Sequence, residues 1–324
     1  MIRLGVIGLG NIFPMQRRAL DTLTDEYRLA AVCDSAPEKR EQFERAVQPA
    51  LPNASPKIYA VAARLYEDPE IDAVLIAAPP AAHFSLALAG LQSGKAILLE
   101  KPAVLRCDDL AALYAEADCG NARLHIAFHA AFARDLEWFL EHGGEVAASP
   151  LSAIECRFYD PYMADNEIIP EKRALGGCYI DSGVNALSVC ARLTDLRGFT
   201  LRDKAETAED NAFGVVYEAR HTFASGDRTI TLMTGWNRGI NHKSTLLRFR
   251  DTDAEVLLDH SNQQVVLRDK DRESVIFRHA GQERLVAHYC GVFRDFADAL
   301  QSGRDNRETA ISVHKLLLSA GRSV

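Results

Sequence analysis

Short apolar runs alternate with longer amphipathic stretches over the first 128 residues, and this alternation constrains the fold more than any other feature of the chain. The pattern is typical of βαβ units around a parallel sheet. It predicts strands at Ile2–Ile7, Leu29–Cys33, Lys57–Tyr59, Ala73–Ala77, Ala96–Leu99 and Leu124–Phe128. Apolar residues at helical spacing predict helices at Met15–Thr24, Pro37–Val47, Ala82–Ser93 and Asp108–Ala117. We therefore expect an α/β fold whose N-terminal domain, residues 1–126, is a doubly wound parallel sheet of the Rossmann type.

The pattern changes after Trp138, where strands follow one another directly. Strands are predicted at Ile154–Phe158, Phe213–Phe223, Thr229–Thr234, Thr245–Arg250, Glu255–Leu258, Gln264–Leu267 and Val275–Arg278, with turn residues at Ala224–Asp227 and Asp269–Asp271. Helices are predicted at Tyr179–Leu193, Val286–Gln301 and Arg307–Gly321. Residues 127–324 are thus expected to form an α+β domain with a large, open, mainly antiparallel sheet. Its C-terminal helices are expected to be able to pack back on the first domain.

Composition narrows the classes of partner and compartment. A formal net charge of −8 without any run of Lys or Arg predicts that nucleic acid is not a partner. Seven scattered cysteines without metal-ligand spacing predict reduced thiols and no zinc site. The chain enters a strand pattern at once and has no apolar run of membrane-spanning length, so we expect neither a signal peptide nor a membrane span, and a cytoplasmic protein.

A glycine-containing turn follows the first strand. Gly8 permits a tight turn, Gly10 admits a phosphate, and Asn11 and Ile12 lead into the next helix, whose N-terminus can hold a pyrophosphate. The third glycine of this dinucleotide-binding fingerprint is replaced by Phe13, which puts close packing of the helix on the strand in doubt. The turn predicts a dinucleotide cofactor.

An acidic residue follows the second strand, 24 residues after the second glycine of the turn. Here Asp34 can accept the hydroxyl groups of an adenosine ribose and would repel a 2′-phosphate. Because Ser35 and not arginine comes next, NAD is favoured over NADP, although Lys39 and Arg40 soften this preference. The alternative is that Asp34 only caps the helix that starts near Pro37.

Three further segments follow in order. They are Ala77-Ala78-Pro79-Pro80-Ala81-Ala82-His83 after strand four, Glu100-Lys101-Pro102 at the end of strand five, and Gly176-Gly177-Cys178-Tyr179-Ile180-Asp181-Ser182-Gly183-Val184-Asn185. Together they resemble the Gfo/Idh/MocA family of dehydrogenases over essentially the whole chain. The resemblance implies that Lys101 lies beside the nicotinamide and the reacting carbon, and that Asp181 enters the pocket from the second domain. It places Ala78, Pro79 and Glu100 on the cofactor side, with His83 contacting cofactor or nothing.

Asn185 departs from the family pattern, which usually has histidine at this position. An amide cannot titrate, so another group must move the proton. The segment from Asp181 to Ser188 is similar to that of sugar 1-dehydrogenases that oxidise galactose or arabinose, where asparagine also occurs. A hemiacetal hydroxyl at C1 is more acidic than an ordinary secondary alcohol, so a weaker base suffices. Our hypothesis is that Lys101, with its pKa lowered by the nicotinamide charge and partial burial, or Asp181 accepts the proton while Asn185 orients the sugar.

Other polar residues are weaker candidates. His129 follows the sixth strand near the crevice at the carboxyl ends of the strands, and Asp160 and Tyr159 end the next strand, so each could touch substrate. Each has a structural alternative: His129 can be a satisfied core histidine, and Asp181 can cap a helix. Cys178 is interpreted as a packing residue because nothing nearby would lower its pKa.

The leading functional hypothesis is an aldose 1-dehydrogenase that transfers hydride from C1 of a pentose or hexose to NAD and gives an aldonolactone. The first alternative keeps the fold and cofactor but acts on a cyclitol, keto sugar or nucleotide sugar. The second is a catalytically silent, NAD-binding co-regulator, which the presence of Lys101 and Asp181 disfavours. A homo-oligomer formed through the sheet of the second domain is also expected.

Overall fold

The chain divides into two compact units. The computed structural model describes residues 1–50, 55–146, 149–209, 214–270 and 272–320. The first unit comprises Met1–Phe128 and Leu285–Ile311, and the second comprises His129–Arg284 and Ser312–Val324. The sequence placed a domain boundary between residues 126 and 127 and allowed the C-terminal helices to join the first domain.

A six-stranded parallel sheet forms the centre of the first unit. Its strands are β1 Ile2–Ile7, β2 Tyr27–Cys33, β3 Lys57–Tyr59, β4 Ala73–Ile76, β5 Ala96–Glu100 and β6 Leu124–Ala127. They lie in the order β3-β2-β1-β4-β5-β6, and every neighbouring pair is parallel. All four residues of β4 are buried, as expected for a sheet covered on both faces. The predicted Rossmann-type sheet is confirmed, and the chain reverses its direction of winding at β1, where such sheets bind ligands.

Five helices connect these strands. They are α1 Phe13–Leu20, α2 Pro37–Gln42, α3 Ala62–Tyr66, α4 Pro80–Gln92 and α5 Cys107–Cys119. Helix α1 starts and ends earlier than the predicted Met15–Thr24. It can include Pro14 because this residue lies in the first turn, where its missing N–H costs nothing. The short helix α3 was not predicted. After α2 the chain continues as a π-helical turn at Phe43–Val47.

The second unit is built on an eight-stranded sheet. The labelled strands are β7 Leu151–Tyr159, β8 Met163–Ala164, β9 Glu167–Ile168, β10 Thr200–Ala208, β11 Val216–Ser225, β12 Arg228–Gly235, β13 His242–Phe249, β14 Glu255–Asp259, β15 Gln264–Asp269 and β16 Arg272–Arg278. The sheet order is β10-β11-β12-β7-β13-β14-β15-β16, while β8 and β9 form a separate small hairpin. Neighbouring strands are antiparallel except β7 and β12, which are parallel. The mainly antiparallel sheet is confirmed.

Some predicted elements of this unit differ from the structure. Strand β10 was missed because its residues are mostly exposed and show no apolar alternation. Helix α6, Arg134–Val146, was also missed. The predicted strand start at Phe213, the turn residue Asp271 and the helix end at Gly321 lie outside the described residues.

The glycine-rich motif leads into one helical segment. It starts with a π-helical turn at Tyr179–Gly183 and continues as α7, Val184–Leu193. The last two helices are α8, Arg284–Ser302, and α9, Arg307–Ala320. Most of α8 packs in the first unit, where the Tyr27 hydroxyl donates a 2.6 Å hydrogen bond to the Phe293 carbonyl. No helix within the described part of the chain is long and apolar enough to cross a membrane.

Candidate functional site

The glycine turn after β1 has the shape that a pyrophosphate requires. Gly8 adopts φ +100°, and a Cβ there would lie 2.5 Å from the Ala77 carbonyl oxygen, so only glycine fits. A Cβ on Gly10 would meet no atom within 4 Å, which leaves open space beside the turn. Phe13 is 4% exposed, and its ring packs on Phe43 with centroids 5.9 Å apart. The aromatic residue at the third position of the fingerprint therefore belongs to the core and does not fill the turn.

Asp34 links this turn to the end of β2. Its Oδ2 accepts a 2.8 Å hydrogen bond from the Leu9 backbone N–H, and its Oδ1 accepts one of 2.9 Å from Ala36. Ala36 is the N-cap of α2, and no side chain caps that helix, so the alternative that Asp34 is a helix cap is not what the structure shows. Each carboxylate oxygen has a second lone pair for a ribose hydroxyl.

Arg40 lies beside the loop that follows β2. Its Nη1 donates to the carbonyl oxygens of Asp34, at 2.7 Å, and of Ser35, at 2.9 Å. A guanidinium is thereby fixed on the backbone of the residue whose carboxylate is expected to select the cofactor. The two groups would act on a 2′-phosphate in opposite directions, because the carboxylate repels it and the guanidinium attracts it.

Glu100 fixes the backbone of Lys101 at the end of β5. Its Oε2 accepts a 3.1 Å hydrogen bond from the Lys101 N–H, and its Oε1 accepts hydrogen bonds from Gln16 Nε2, at 2.8 Å, and from the Tyr289 hydroxyl, at 2.6 Å. Gln16 lies on α1, so Glu100 joins the lysine to the helix that follows the glycine turn. Burial raises the pKa of Glu100, while the three donors and the charge of Lys101 oppose this shift.

His83 joins two loops of the first unit. One ring nitrogen, Nδ1, lies 2.8 Å from the Pro102 carbonyl oxygen, and Nε2 lies 2.8 Å from that of Ala78. The imidazole is 1% exposed, and its burial lowers the pKa, as does the charge of Lys101. Because both of its ring nitrogens face protein carbonyls, His83 connects the loop carrying Ala78 and Pro79 to the loop carrying Lys101.

The segment with Asp181 has unusual local geometry. Gly176 and Gly177 have φ values of +81° and +101°, and a Cβ on Gly177 would lie 2.9 Å from the Val216 carbonyl oxygen. These glycines allow the chain to enter the π-helical turn, a type of turn that often marks functional sites. Asn185 Nδ2 donates a 3.3 Å hydrogen bond to the Asp181 carbonyl. Its Oδ1 is buried and has no hydrogen-bond partner among the described residues, so a donor is needed there.

Asp160 is the centre of a buried charge cluster in the second unit. Its Oδ1 lies 2.6 Å from Lys243 Nζ, and its Oδ2 accepts a 3.0 Å hydrogen bond from the Ser182 hydroxyl. Lys243 Nζ also donates to the Tyr159 carbonyl, at 2.6 Å, and to Asn241 Oδ1, at 2.8 Å, so all three of its donors are used. Burial lowers the pKa of Lys243, and Asp160 opposes that shift. The cluster fixes Ser182 and with it the neighbouring Asp181.

Sequence reasoning missed Lys243. The strand predicted at Thr245–Arg250 did not include it, whereas in the structure β13 starts at His242 and Lys243 lies opposite the buried Phe158. A charged residue at an inward strand position predicts a buried partner. That partner could not be named, since Asp160 is 83 positions away in sequence.

His129, Tyr159 and Cys178 are buried or half-buried. His129 is 9% exposed and begins a short 3₁₀ helix at His129–Phe132, while the ring of Tyr159 packs near Arg238 and His242. Cys178 is fully buried, and burial raises its pKa to about 12, as expected for a packing residue. Within the described ranges, no group of three or more His, Cys, Asp or Glu could hold a metal ion.

The sheet and the glycine turn define the first unit as a dinucleotide-binding domain of the Rossmann type. Residues 2–128 match the model of the Gfo/Idh/MocA family, described as oxidoreductases with an NAD-binding Rossmann fold. The match confirms, for residues 2–128, the resemblance drawn from the motifs Ala77–His83 and Glu100–Pro102, and the segment Gly176–Asn185 lies outside the matched range.

Curated relatives match parts of the chain. Inositol 2-dehydrogenase of Streptomyces avermitilis is 30% identical over 129 residues, which cover 40% of this chain and 36% of that protein. Myo-inositol 2-dehydrogenase of Thermotoga maritima is 27% identical over 186 residues, covering 57% and 52%. The matched segments therefore span about half or less of the length of these relatives.

Solved structures match nearly the whole chain. The 3-ketoreductase KijD10 of Actinomadura kijaniata, in complex with TDP-benzene and NADP, has a TM-score of 0.79 at 19% identity and covers 98% of this chain and 96% of its own. UDP-N-acetylglucosamine 3-dehydrogenase GnnA of Acidithiobacillus ferrooxidans has a TM-score of 0.75 at 18% identity, with coverage of 98% and 96%. At this identity the likeness shows that the two-unit fold is shared.

Proposed function

We propose that the protein is an NAD(P)-dependent dehydrogenase of sugar-like substrates, and that its reaction is oxidation of an aldose at C1 to the aldonolactone. The cofactor half of this proposal is supported by the family of residues 2–128, by the open space at Gly10 and by the carboxylate of Asp34. A bound dinucleotide would supply the hydride acceptor. Gly8, Gly10, Asn11 and Ile12 would hold its pyrophosphate.

The adenosine end decides between the two cofactors. Asp34 favours NAD, since its charge repels a 2′-phosphate, and Ser35 follows it. Arg40 is fixed nearby, and the KijD10 structure contains NADP, so both cofactors belong in any assay.

The observation that carries the choice of substrate is Asn185. Its amide cannot accept a proton, and its Nδ2 is bound to the Asp181 carbonyl, so it orients a ligand without titrating. A hemiacetal hydroxyl needs only a weak base. Oxidation at C1 removes a hydride and the hydroxyl proton; the amine of Lys101 or the carboxylate of Asp181 would accept that proton, which would leave the carbonyl of the lactone.

A second candidate is supported by the relatives. Two of them are inositol dehydrogenases, and the GnnA structure is that of a nucleotide-sugar dehydrogenase. Oxidation of a ring alcohol of a cyclitol or nucleotide sugar would use the same cofactor and the same lysine. It would place a greater demand on the base, because such an alcohol is less acidic than a hemiacetal.

A spectrophotometric screen of NADH or NADPH formation tests the proposal. The panel contains D-galactose, L-arabinose and D-xylose, with myo-inositol and UDP-N-acetylglucosamine for the second candidate. We expect turnover of aldoses with NAD and formation of lactone, and turnover of the other two compounds alone would contradict the choice of aldose. If no compound reacts in either direction although NADH binds, as measured by its fluorescence, a silent co-regulator is supported instead.

A variant of the lysine separates chemistry from binding. Lys101→Ala is expected to lose at least about 100-fold in kcat, because general acid–base groups contribute factors of this size, while NADH binding changes little. A Lys101→Ala enzyme with normal kcat would exclude the lysine as the proton acceptor and leave Asp181.

A further inference from the structure

Tyr162 lies in the segment that follows β7, and its backbone is fixed from both sides. Its N–H donates a 3.0 Å hydrogen bond to the Asp160 carbonyl, and its own carbonyl accepts one of 3.0 Å from the Ile169 N–H. The residue is thereby held next to the Asp160–Lys243 pair.

The ring of Tyr162 is half-buried between two side chains. It meets the indole of Trp236 edge-on with centroids 5.6 Å apart, and Lys172 Nζ lies 4.3 Å from its centroid. Trp236 is completely buried, so this contact anchors the ring on the core of the second unit. An aromatic ring packed in this way has little freedom to turn its hydroxyl elsewhere.

The hydroxyl of Tyr162 makes no hydrogen bond with any residue that the structure describes. Burial raises the pKa of Tyr162, as do the charges of Asp160 and Asp181, whereas Arg284 lowers it. The phenol therefore keeps its proton at neutral pH, and it can donate a hydrogen bond in the neighbourhood of Asp181.

We propose that Tyr162 is a substrate-contacting specificity residue whose hydroxyl donates a hydrogen bond to one hydroxyl group of the sugar, beside Asp181. The inference rests on the proposed function, because it needs a polyhydroxylated ligand on this side of the second unit. It adds a donor to a site where Asn185 Oδ1 and the Asp181 carboxylate are acceptors. A ligand rich in hydroxyl groups, each both donor and acceptor, fits this combination.

The test compares Tyr162→Phe with Tyr114→Phe. The Tyr114 hydroxyl, on α5 in the first unit, is buried and has no hydrogen-bond partner within the described residues, so the control removes a phenolic oxygen of the other unit. With D-galactose and NAD we expect Tyr162→Phe to raise KM about tenfold and to leave kcat within about twofold, because the bond forms in ground and transition states alike. Tyr114→Phe should leave both unchanged.

Deoxy sugars show whether the hydroxyl touches the substrate. One monodeoxy galactose lacks the hydroxyl group that would bond Tyr162, so the wild-type enzyme should show a lower kcat/KM with it than with galactose. This loss should largely disappear in Tyr162→Phe, because that variant already lacks the same hydrogen bond. Fully additive losses for every deoxy position would overturn the inference, as would an unchanged KM. If galactose is inactive and myo-inositol reacts, the same comparison with deoxyinositols tests Tyr162, so that result counts against aldose chemistry and not against this residue.

Discussion

The Tyr289 hydroxyl donates a 2.6 Å hydrogen bond to Glu100 Oε1 across 189 positions of sequence. This bond ties α8 to the residue that precedes Lys101, inside a buried network that also holds Gln16 of α1. The C-terminal part of the chain thus contributes directly to the position of the lysine loop.

We predict that Tyr289→Phe destabilises the protein more than Tyr27→Phe. Loss of a hydrogen bond to a buried carboxyl is expected to cost about 1.5–3 kcal/mol, whereas Tyr27 bonds a neutral carbonyl, worth about 1 kcal/mol. Urea denaturation of both variants measures the difference. Equal losses would show that the network around Glu100 has no special strength.

A pH-dependent contribution to stability is expected from His83. Burial lowers its pKa below the ordinary value of 6.5, so the unfolded chain binds this proton more tightly than the folded protein. The free energy of unfolding should therefore be fully maintained above pH 6.5 and should fall as pH decreases from 6.5 toward the lowered pKa. His83→Asn removes the titration, so the slope of stability against pH in this window should be shallower in the variant. Parallel slopes would contradict the lowered pKa.

The Asp160–Lys243 pair predicts strong coupling between two substitutions. Lys243→Met leaves the carboxylate of Asp160 buried without its cation and should cost about 3–5 kcal/mol. The double variant Asp160→Asn, Lys243→Met should regain much of this loss. Denaturation of the two single variants and the double variant gives the coupling energy, and simple additivity would show that the pair is not desolvated.

Cofactor preference should depend on the charge of Asp34. Asp34→Asn is expected to lower the ratio of NADH affinity to NADPH affinity by about tenfold or more. The variant no longer repels a 2′-phosphate, and Arg40 stays in place. Fluorescence titration with both nucleotides measures this without turnover. Glu38→Gln removes the same charge from the exposed face of α2 and serves as the control. A wild-type enzyme that prefers NADPH would contradict the role given to Asp34.

The expected homo-oligomer has a candidate surface on the large sheet. Leu246, Leu257, Val266 and Val275 are register neighbours across β13 to β16, but Leu246 and Val266 are already buried within the chain. Val275, at the β16 end of this row, is 49% exposed. If a second copy covers Val275, Val275→Asp should lower the molar mass measured by light scattering, whereas Ile311→Asp, at a residue 46% exposed in the first unit, should not. A wild-type monomer would contradict the expectation.

Local patterns were sufficient to predict the parallel sheet of the first unit. Strands of parallel sheets are apolar on both faces, so β1, β4 and β5 are evident in the sequence, and the glycine turn and Asp34 follow from their positions after strands. The same rule failed at β10, whose exposed polar residues give no period. Nothing local shows that β7 and β12 are parallel, because that pairing depends on the whole sheet.

Only part of the candidate site could be predicted from the sequence. Lys101 and Asp181 were found because the motifs that contain them resemble those of a known family. Lys243 and Tyr162 were missed, because their surroundings come from strand register and from a loop that folds back on Trp236. Glu100 was expected on the cofactor side. Its hydrogen-bond partners Gln16 and Tyr289 could not be predicted, because they lie 84 and 189 positions away in sequence.

The two oxygens of Asp160 serve different neighbours, with Lys243 on one and Ser182 on the other. Any tilt of the π-helical turn that re-aims Asp181 would pull Ser182 away and disturb a desolvated ion pair. Evolution toward a new substrate should therefore leave this pair intact and change the loops at residues 161–169 and 237–241. Libraries that diversify those loops are expected to yield folded variants with altered selectivity far more often than libraries that diversify Asp160, Ser182 or Lys243.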